Sequence, residues 1–298
     1  MIATASPYLK SLLALGIVAL FQGRYEEAER LQRKSYAIYR ELDDRFNIAR
    51  AGRNLAGALV ALDRLVEACS LREESVAICS DLGSRARLAY ETSGLSQVRM
   101  LLGQYEEARA RAQVSLALAQ ETGTPWVIAS ALDQLGWLAL VEGAYAEAHD
   151  LFQESLAISQ DIGRRSFVHL TLVGLGYAAR GLGRLPQAGE YLSDALRMAT
   201  EAGHFKPLVG ALPAMALLLT DRGEPERAVE LYALACTLGT YSFGRVGDSR
   251  FWEDVAGRHI AAAAAGLPPD VVAAAQARGR ARDLGATVAE LLAEFGQE

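Results

Sequence analysis

The most specific chemical motif in the chain is residues 174–179, Gly-Leu-Gly-Tyr-Ala-Ala, which match the GxGxxA form of a dinucleotide-binding loop. That chemistry needs a glycine-rich turn between a strand and a helix, so that the backbone can approach a pyrophosphate. No strand pattern precedes the motif, and the apolar residues around it recur at helical spacing. Residues 174–179 are therefore predicted to lie inside a helix, with the glycines explained by close packing.

The histidines and cysteines show no spacing typical of catalysis or metal binding. No HExxH, paired-histidine or CxxC arrangement occurs among His149, His169, His204, His259, Cys69, Cys79 and Cys236. A Walker A sequence is also missing from the chain. We therefore predict no catalytic residues, no metal, no cofactor and no enzymatic activity.

The amino-acid composition limits which binding partners and which cellular compartment are expected. The net charge of −6 argues against direct binding of nucleic acid. Three cysteines cannot all pair, which favours a reducing cytoplasm. The apolar run Ser11–Phe21 is too short to span a membrane and lacks a signal-peptide cleavage site, so no membrane association is expected.

A 40-residue repeat organises most of the chain. A large apolar column runs through Leu15, Leu55, Leu95, Leu135, Leu175 and Met215. The next column is small throughout: Gly16, Ala56, Ser96, Gly136, Gly176 and Ala216. A third column is invariant alanine: Ala28, Ala68, Ala108, Ala148, Ala188 and Ala228. Small residues at fixed positions indicate two helices that approach closely in every unit.

Turn residues fall twice in each unit. Within units, Gly23, Gly103, Gly143, Gly183 and Gly223 are expected to end the first helix in a left-handed conformation, with Asp63 as the substitute. Between units, Gly83, Gly123, Gly163 and Gly203 are expected to end the second helix. The resulting units lie near 7–43, 44–83, 84–123, 124–163, 164–203 and 204–238.

The last sixty residues leave this register. Residues 239–248 are rich in glycine and predict an irregular connection. Three short helices should follow: Ser249–Ala265, a helix capped by Asp270 and running to about Leu284, and Ala286–Phe295. An exposed final helix pair would leave its apolar face in water, so 239–298 is predicted to be a linker and a helical cap.

The spacing of the small residues resembles the tetratricopeptide (TPR) pattern over about residues 7–238. The usual unit has about 34 residues, so these longer units look like the TPR regions of MalT- and AfsR-type bacterial transcriptional regulators and of signal-transduction ATPases. The resemblance implies an all-α, right-handed α-solenoid of about six 40-residue helix-pair (TPR-like) units with a C-terminal helical cap. In those families such an array usually senses a ligand or a partner protein.

Three columns of the first helices vary while their neighbours stay fixed. They begin at Lys10, Leu13 and Ile17, and their spacing of three and four residues places them on one helix face. The resemblance implies that this face lines a concave groove. The candidate groove residues are Arg50, Arg53, Tyr90, Gln97, Asp133, Trp137, Tyr177 and Arg180. Aromatic residues at helical spacing also pack between helices, so a packing role stays open for Trp137 and Tyr177.

Two functions are consistent with these observations. The first is a non-catalytic protein-interaction or ligand-sensing scaffold, the TPR sensor region of a bacterial transcriptional regulator or signalling protein, which binds a peptide, a protein or a small effector in its groove. The alternative is a structural module that self-associates, for instance as a homodimer through the N-terminal repeat, whose apolar first helix has no evident cap.

Overall fold

The computed structural model describes residues 7–201, 208–240 and 243–296, and its fold is all-α. The helices of the repeats are α1 (Pro7–Phe21), α2 (Tyr25–Glu41), α3 (Arg45–Ala61), α4 (Leu65–Asp81), α5 (Arg85–Leu101), α6 (Tyr105–Glu121), α7 (Pro125–Val141), α8 (Tyr145–Asp161), α9 (Arg165–Gly181), α10 (Leu185–Glu201), α11 (Leu208–Asp221) and α12 (Pro225–Ala235). Helices α2 to α10 all have 17 residues. The predicted start of a sixth unit at residue 204 lies outside the described residues.

Left-handed residues end these helices. Gly23, Gly103 and the other predicted glycines that the structure describes have φ between +60° and +78°, and Asp63 replaces glycine at φ 58°. Asp43, at φ 50°, ends α2 in the same way. An aspartate tolerates this conformation better than most residues, because its short polar side chain can bond locally. The predicted Gly203 lies outside the described residues.

The small columns mark the close contacts that the pattern predicted. All six column alanines are 0% exposed. A Cβ atom at Gly136 would lie 2.8 Å from the Phe152 ring, and one at Gly176 would lie 2.6 Å from Leu192 Cγ. A larger side chain at these positions would separate the paired helices.

A serine on each second helix adds a polar contact to this packing. The hydroxyl groups of Ser75, Ser115 and Ser155 donate to backbone carbonyl oxygens 26 residues earlier, on the first helix of the same pair, at 2.8 to 3.1 Å. The equivalent Ser35 hydroxyl is buried without a hydrogen-bond partner among the described residues. The contact therefore depends on the local approach of the helices as well as on the serine.

The C-terminal segment departs from the predicted boundaries. Two short strands, β1 (Gly239–Thr240) and β2 (Gly244–Arg245), lie in the predicted irregular connection. The following elements are α13 (Arg250–Trp252), a π-helical turn (Glu253–Gly257), α14 (Arg258–Ala264), α15 (Pro269–Ala281) and α16 (Leu284–Phe295).

Two capping residues explain the differences in this segment. Ser249 caps α13, where its hydroxyl accepts from the Trp252 amide at 3.4 Å. Asp283 caps α16, where its carboxylate accepts from the Ala286 amide at 2.8 Å. The predicted cap by Asp270 is wrong, because Pro269 starts α15 and places Asp270 in the first turn.

The chain divides into two compact units. Unit 1 comprises residues 1–127 and 240–244, and unit 2 comprises residues 128–239 and 245–298. Within unit 1, α1 packs on both α2 and α3, and each later helix through α6 packs on its neighbours. Within unit 2, α12 packs on α11, α14 and α15. In the part of the chain that the structure describes, no helix combines the length and apolarity needed to cross a membrane.

Candidate functional site

A buried carboxylate organises the variable face of unit 1. Glu91 of α5 is 3% exposed and accepts from Arg53 Nη1 of α3 at 2.8 Å and from Arg72 Nη1 of α4 at 3.2 Å. A lone buried carboxylate would be costly, so the two guanidinium groups compensate for its loss of water. Three helices of unit 1 are thereby joined at one charged point.

An aromatic side chain extends this cluster. The Arg53 guanidinium lies 4.9 Å from the centre of the Tyr90 ring, within the range of a cation–π contact. The Tyr90 ring meets Trp126 edge to face, with 4.7 Å between the ring centres. Gln97 lies two turns after Tyr90 on α5 and is partly buried. Tyr90 and Gln97 therefore share the predicted face of α5, and Tyr90 contacts Arg53.

Two side chains of α3 contain hydrogen-bond donors that take no part in this network. Arg50 and Asn54 lie one turn apart, and both are partly buried. Arg50 Nε and Asn54 Nδ2 are buried atoms without a hydrogen-bond partner among the described residues. A buried donor without an acceptor costs about 1 to 3 kcal/mol. We name the set Arg50, Arg53, Asn54, Tyr90 and Gln97 the arginine stripe.

The equivalent face in unit 2 is covered. Trp137 is 2% exposed, and its ring centre lies 5.4 Å from that of Tyr177, 5.7 Å from Phe251 and 6.2 Å from Trp252. Tyr177 is 5% exposed and donates its hydroxyl to the Gly210 carbonyl at 3.2 Å. Because the C-terminal aromatics fill this face, Trp137 and Tyr177 are packing residues here, which corrects the prediction of an open groove at these positions.

Asp133 is also enclosed in unit 2. Its two carboxyl oxygens lie 3.0 and 3.1 Å from the Thr171 hydroxyl. Burial raises the pKa of Asp133 to about 7, while hydrogen bonds from Ser155 and Thr171 act in the opposite direction. Asp133 is only 9% exposed, so its role as an open groove contact is corrected as well.

Arg180 lies at the edge of a small polar cleft in unit 2. Its guanidinium forms a two-point ion pair with Asp221, at 2.6 and 2.8 Å. The cleft measures about 210 Å³ and also includes Tyr177, Asp254 and His259. Burial and the nearby Arg258 and Arg180 groups lower the pKa of His259. Arg180 is thus held by Asp221, and its guanidinium already has a structural partner.

The pattern of variable columns did not select Glu91, Arg72 or Asn54. Glu91 had a detectable signal, because its column is otherwise small: Ser11, Ala51, Ala131, Thr171 and Ala211. A charged residue in such a column requires a partner. Phe251 and Trp252 offered no comparable signal, since nothing in their spacing links them to Trp137.

The motif at residues 174–179 has the predicted structural explanation. It lies in the middle of α9, and a Cβ at either Gly174 or Gly176 would collide with Phe152 or Leu192. The described residues also contain no group of three His, Cys, Asp or Glu side chains arranged to hold a metal ion. His204 lies outside the described residues.

These features define a class: a scaffold of helix pairs with a variable polar face. Family models of the tetratricopeptide repeat match residues 9–42 and 85–161. The chain therefore contains tetratricopeptide repeats in these two segments. No curated protein matches the sequence significantly.

Solved structures share the fold at low sequence identity. A Rap protein complexed with competence and sporulation factor superposes with a TM-score of 0.69 at 15% identity, over 97% of this chain and 78% of that one. Aspartyl phosphate phosphatase F from Bacillus subtilis gives 0.62 at 16% identity, over 90% and 69%. A signal transduction ATPase with a tetratricopeptide repeat sensor, from Pyrococcus horikoshii, gives 0.55 at 16% identity, over 96% and 44%.

Proposed function

We propose that the chain is a non-catalytic sensor or interaction module that binds an acidic peptide, or an acidic segment of a protein, on the arginine stripe. The observation that carries the proposal is Arg50, whose partly exposed guanidinium forms no ion pair among the described residues and lies one turn from the Asn54 amide on α3. Carboxylate and carbonyl oxygens of a bound peptide would accept from the exposed N–H groups of these two side chains. The two family models of the tetratricopeptide repeat that match residues 9–42 and 85–161 support an interaction role.

Within the stripe, the side chains have different tasks. Arg53 is engaged by Glu91 and Tyr90, so it fixes the shape of the surface and adds positive charge. Arg50 forms no ion pair within the described part of the chain, so it is the main contact to an anionic group. Tyr90 provides an aromatic face and Gln97 provides an amide two turns further along α5, a combination that suits recognition of an extended chain.

The test uses two labelled dodecapeptides, one rich in Asp and Glu and the other rich in Lys, measured by fluorescence polarisation. We expect the acidic peptide to bind, and Arg50→Gln to weaken its binding by about ten- to a hundredfold, since a hydrogen bond to a charged group contributes about 1.5 to 3 kcal/mol. Arg30→Gln removes an exposed arginine of α2 outside the stripe and should change nothing. Equal binding of the basic peptide, or equal effects of the two variants, would refute the proposal.

We further propose that the array is the sensor region of a bacterial transcriptional regulator or signalling ATPase in the cytoplasm. The similarity to a signal transduction ATPase with a tetratricopeptide repeat sensor supports this role. A small effector on the same surface is the second ligand class to test, by competition with the acidic peptide.

Self-association through α1 is a second candidate function. Leu15 is 55% exposed and Val18 is 47% exposed. By contrast, Leu55 and Leu95, which occupy the same column as Leu15, are each 1% exposed. A repeat face that is covered elsewhere is therefore open on α1, and a second copy of the chain could cover it. Sedimentation velocity over a range of concentrations tests this: Leu15→Glu should abolish a dimer, and Val66→Glu, at a 73% exposed residue of α4, should not. A wild-type monomer at every concentration excludes the idea.

A further inference from the structure

A second cavity lies in unit 2, among helices α12, α14 and α15. It measures about 550 Å³, a volume within the range of small-molecule sites. Its walls are apolar: α12 contributes Val229 and Ala233, α14 contributes Ile260 and Ala264, and α15 contributes Val272. We name it the C-terminal cleft. Its walls can bury aliphatic groups, each methylene contributing about 0.8 kcal/mol.

Polar groups of both charge signs lie at the mouth of this cleft. Glu253 and Arg280 both line it, both are exposed, and neither forms an ion pair within the described residues. Burial raises the pKa of the Cys236 thiol to about 11 and also raises the pKa of Tyr232. At neutral pH the mouth therefore offers one carboxylate, one guanidinium and two uncharged groups.

The backbone at the mouth is unusual. Glu253 and Gly257 belong to the π-helical turn, a rare conformation that is frequent at functional sites. A Cβ at Gly257 would lie 2.7 Å from the Tyr232 hydroxyl and would collide with the Glu253 carboxylate. Glycine at this position therefore leaves room for both polar groups at the cleft.

We propose that the C-terminal cleft binds a medium-chain aliphatic molecule with an uncharged amide head. The chain lies between the apolar walls. The amide N–H groups donate to the Glu253 carboxylate, and the amide oxygen accepts from Arg280. A carboxylate head would pair with Arg280 but also meet Glu253, and an ammonium head would pair with Glu253 but also meet Arg280. A charged head of either sign therefore gains an attraction and a repulsion together, whereas an amide can hydrogen-bond to both side chains.

The binding test compares decanamide, decanoate and decylamine by isothermal titration calorimetry on the full chain. We expect decanamide to bind about two- to fivefold more tightly than either charged probe, because exposed charge pairs contribute about 0.2 to 1 kcal/mol. Glu253→Gln should strengthen decanoate binding by a similar factor, and Arg280→Gln should do the same for decylamine. Equal affinities of all three probes for the wild type, or no response to the two variants, would overturn the assignment of the head group.

A matched pair of variants tests the location. Ala261 lines the cleft, whereas Ala263 of the same helix does not, and both are exposed. Ala261→Phe fills the cleft and should abolish decanamide binding, while Ala263→Phe should retain it. Both variants should keep the wild-type circular dichroism spectrum, and a ligand-induced rise in Tm should occur only for the wild type and Ala263→Phe. Binding that survives in Ala261→Phe, or no decanamide binding to the wild type, contradicts the proposal.

Discussion

The variable face of the first helices is used differently in the two units. In unit 1, Arg53 contacts Glu91, 38 residues later in the chain, and the face remains polar. In unit 2 the equivalent positions are Asp133 and Thr171, also 38 residues apart, and hydroxyl groups hold the carboxyl group. The same repeat geometry therefore supports an ion pair in one unit and a buried hydrogen bond from a hydroxyl group in the other.

The surroundings account for the difference. Arg72 of α4 gives Glu91 a second cation and keeps that carboxylate compensated. In unit 2, Phe251 and Trp252 pack against Trp137 and make the face part of the core. The comparison shows that a variable column marks positions freed from the common packing, and that other parts of the chain decide whether those positions stay open.

The largest expected effect comes from removing the centre of the aromatic cluster. Trp137→Ala should lower the free energy of unfolding by about 3 to 5 kcal/mol, because it leaves a cavity among four aromatic rings. Trp126→Ala in unit 1 removes a partly buried ring and should cost less than about 2 kcal/mol. Urea denaturation measures both variants. Equal losses would contradict the contrast between a covered and an open face.

The next effect concerns the charged cluster of unit 1. Glu91→Ala should lower the free energy of unfolding by about 3 kcal/mol, since it leaves two partly buried guanidinium groups without their carboxylate. The exposed ion pair of Arg85 and Glu121 provides the control, and Glu121→Ala should cost under about 1 kcal/mol. If Glu91→Ala cost no more than Glu121→Ala, the cluster would have no organising role.

Asp133 of unit 2 should make the free energy of unfolding depend on pH. Its folded-state pKa of about 7 lies above the unfolded value, so the native state retains a proton that the unfolded chain has lost. Stability from this group is complete below pH 4 and is lost as the pH rises through 7. Between pH 5 and pH 8 the loss should be about 2 to 3 kcal/mol.

Comparison with Asp133→Asn isolates this group from the other titrating residues. The variant should lack that part of the pH dependence. The free energy of unfolding of Asp133→Asn minus that of the wild type should therefore be larger at pH 8 than at pH 5. Urea denaturation at both pH values measures this. A parallel fall of stability in the two proteins would show that Asp133 is ionised in the native state at both pH values.

The smallest expected effect on stability is the difference between alanine substitutions at Ser75 and at Ser35, which occupy the same column. Ser75→Ala removes a hydroxyl that lies 2.9 Å from the Leu71 carbonyl of its own helix and 3.1 Å from the Ala49 carbonyl of α3, and should cost about 1 kcal/mol. Ser35→Ala removes a buried hydroxyl without a partner among the described residues, and should be neutral or slightly stabilising. Thermal unfolding resolves this difference. Identical shifts in Tm would mean that the carbonyl contact adds no stability.

The amino-acid sequence alone determined the repeat architecture. Gly16, Gly136 and Gly176 each face a side chain 16 residues later in the chain, and all six column alanines are fully buried. Contacts of this kind are local and recur in every unit, so the pattern of small residues and turns contains them. The same pattern located the variable columns and, within them, Arg50, Arg53, Tyr90 and Gln97.

Only the tertiary structure decided which of these columns stays open. Trp137 meets Trp252 more than a hundred residues later in the chain, and no period connects the two. Glu91 likewise depends on Arg72, a residue of the second helix that the first-helix columns do not include. Packing of a non-repeated segment depends on the shape and charge of the assembled surface, and those properties exist only after the helices have come together.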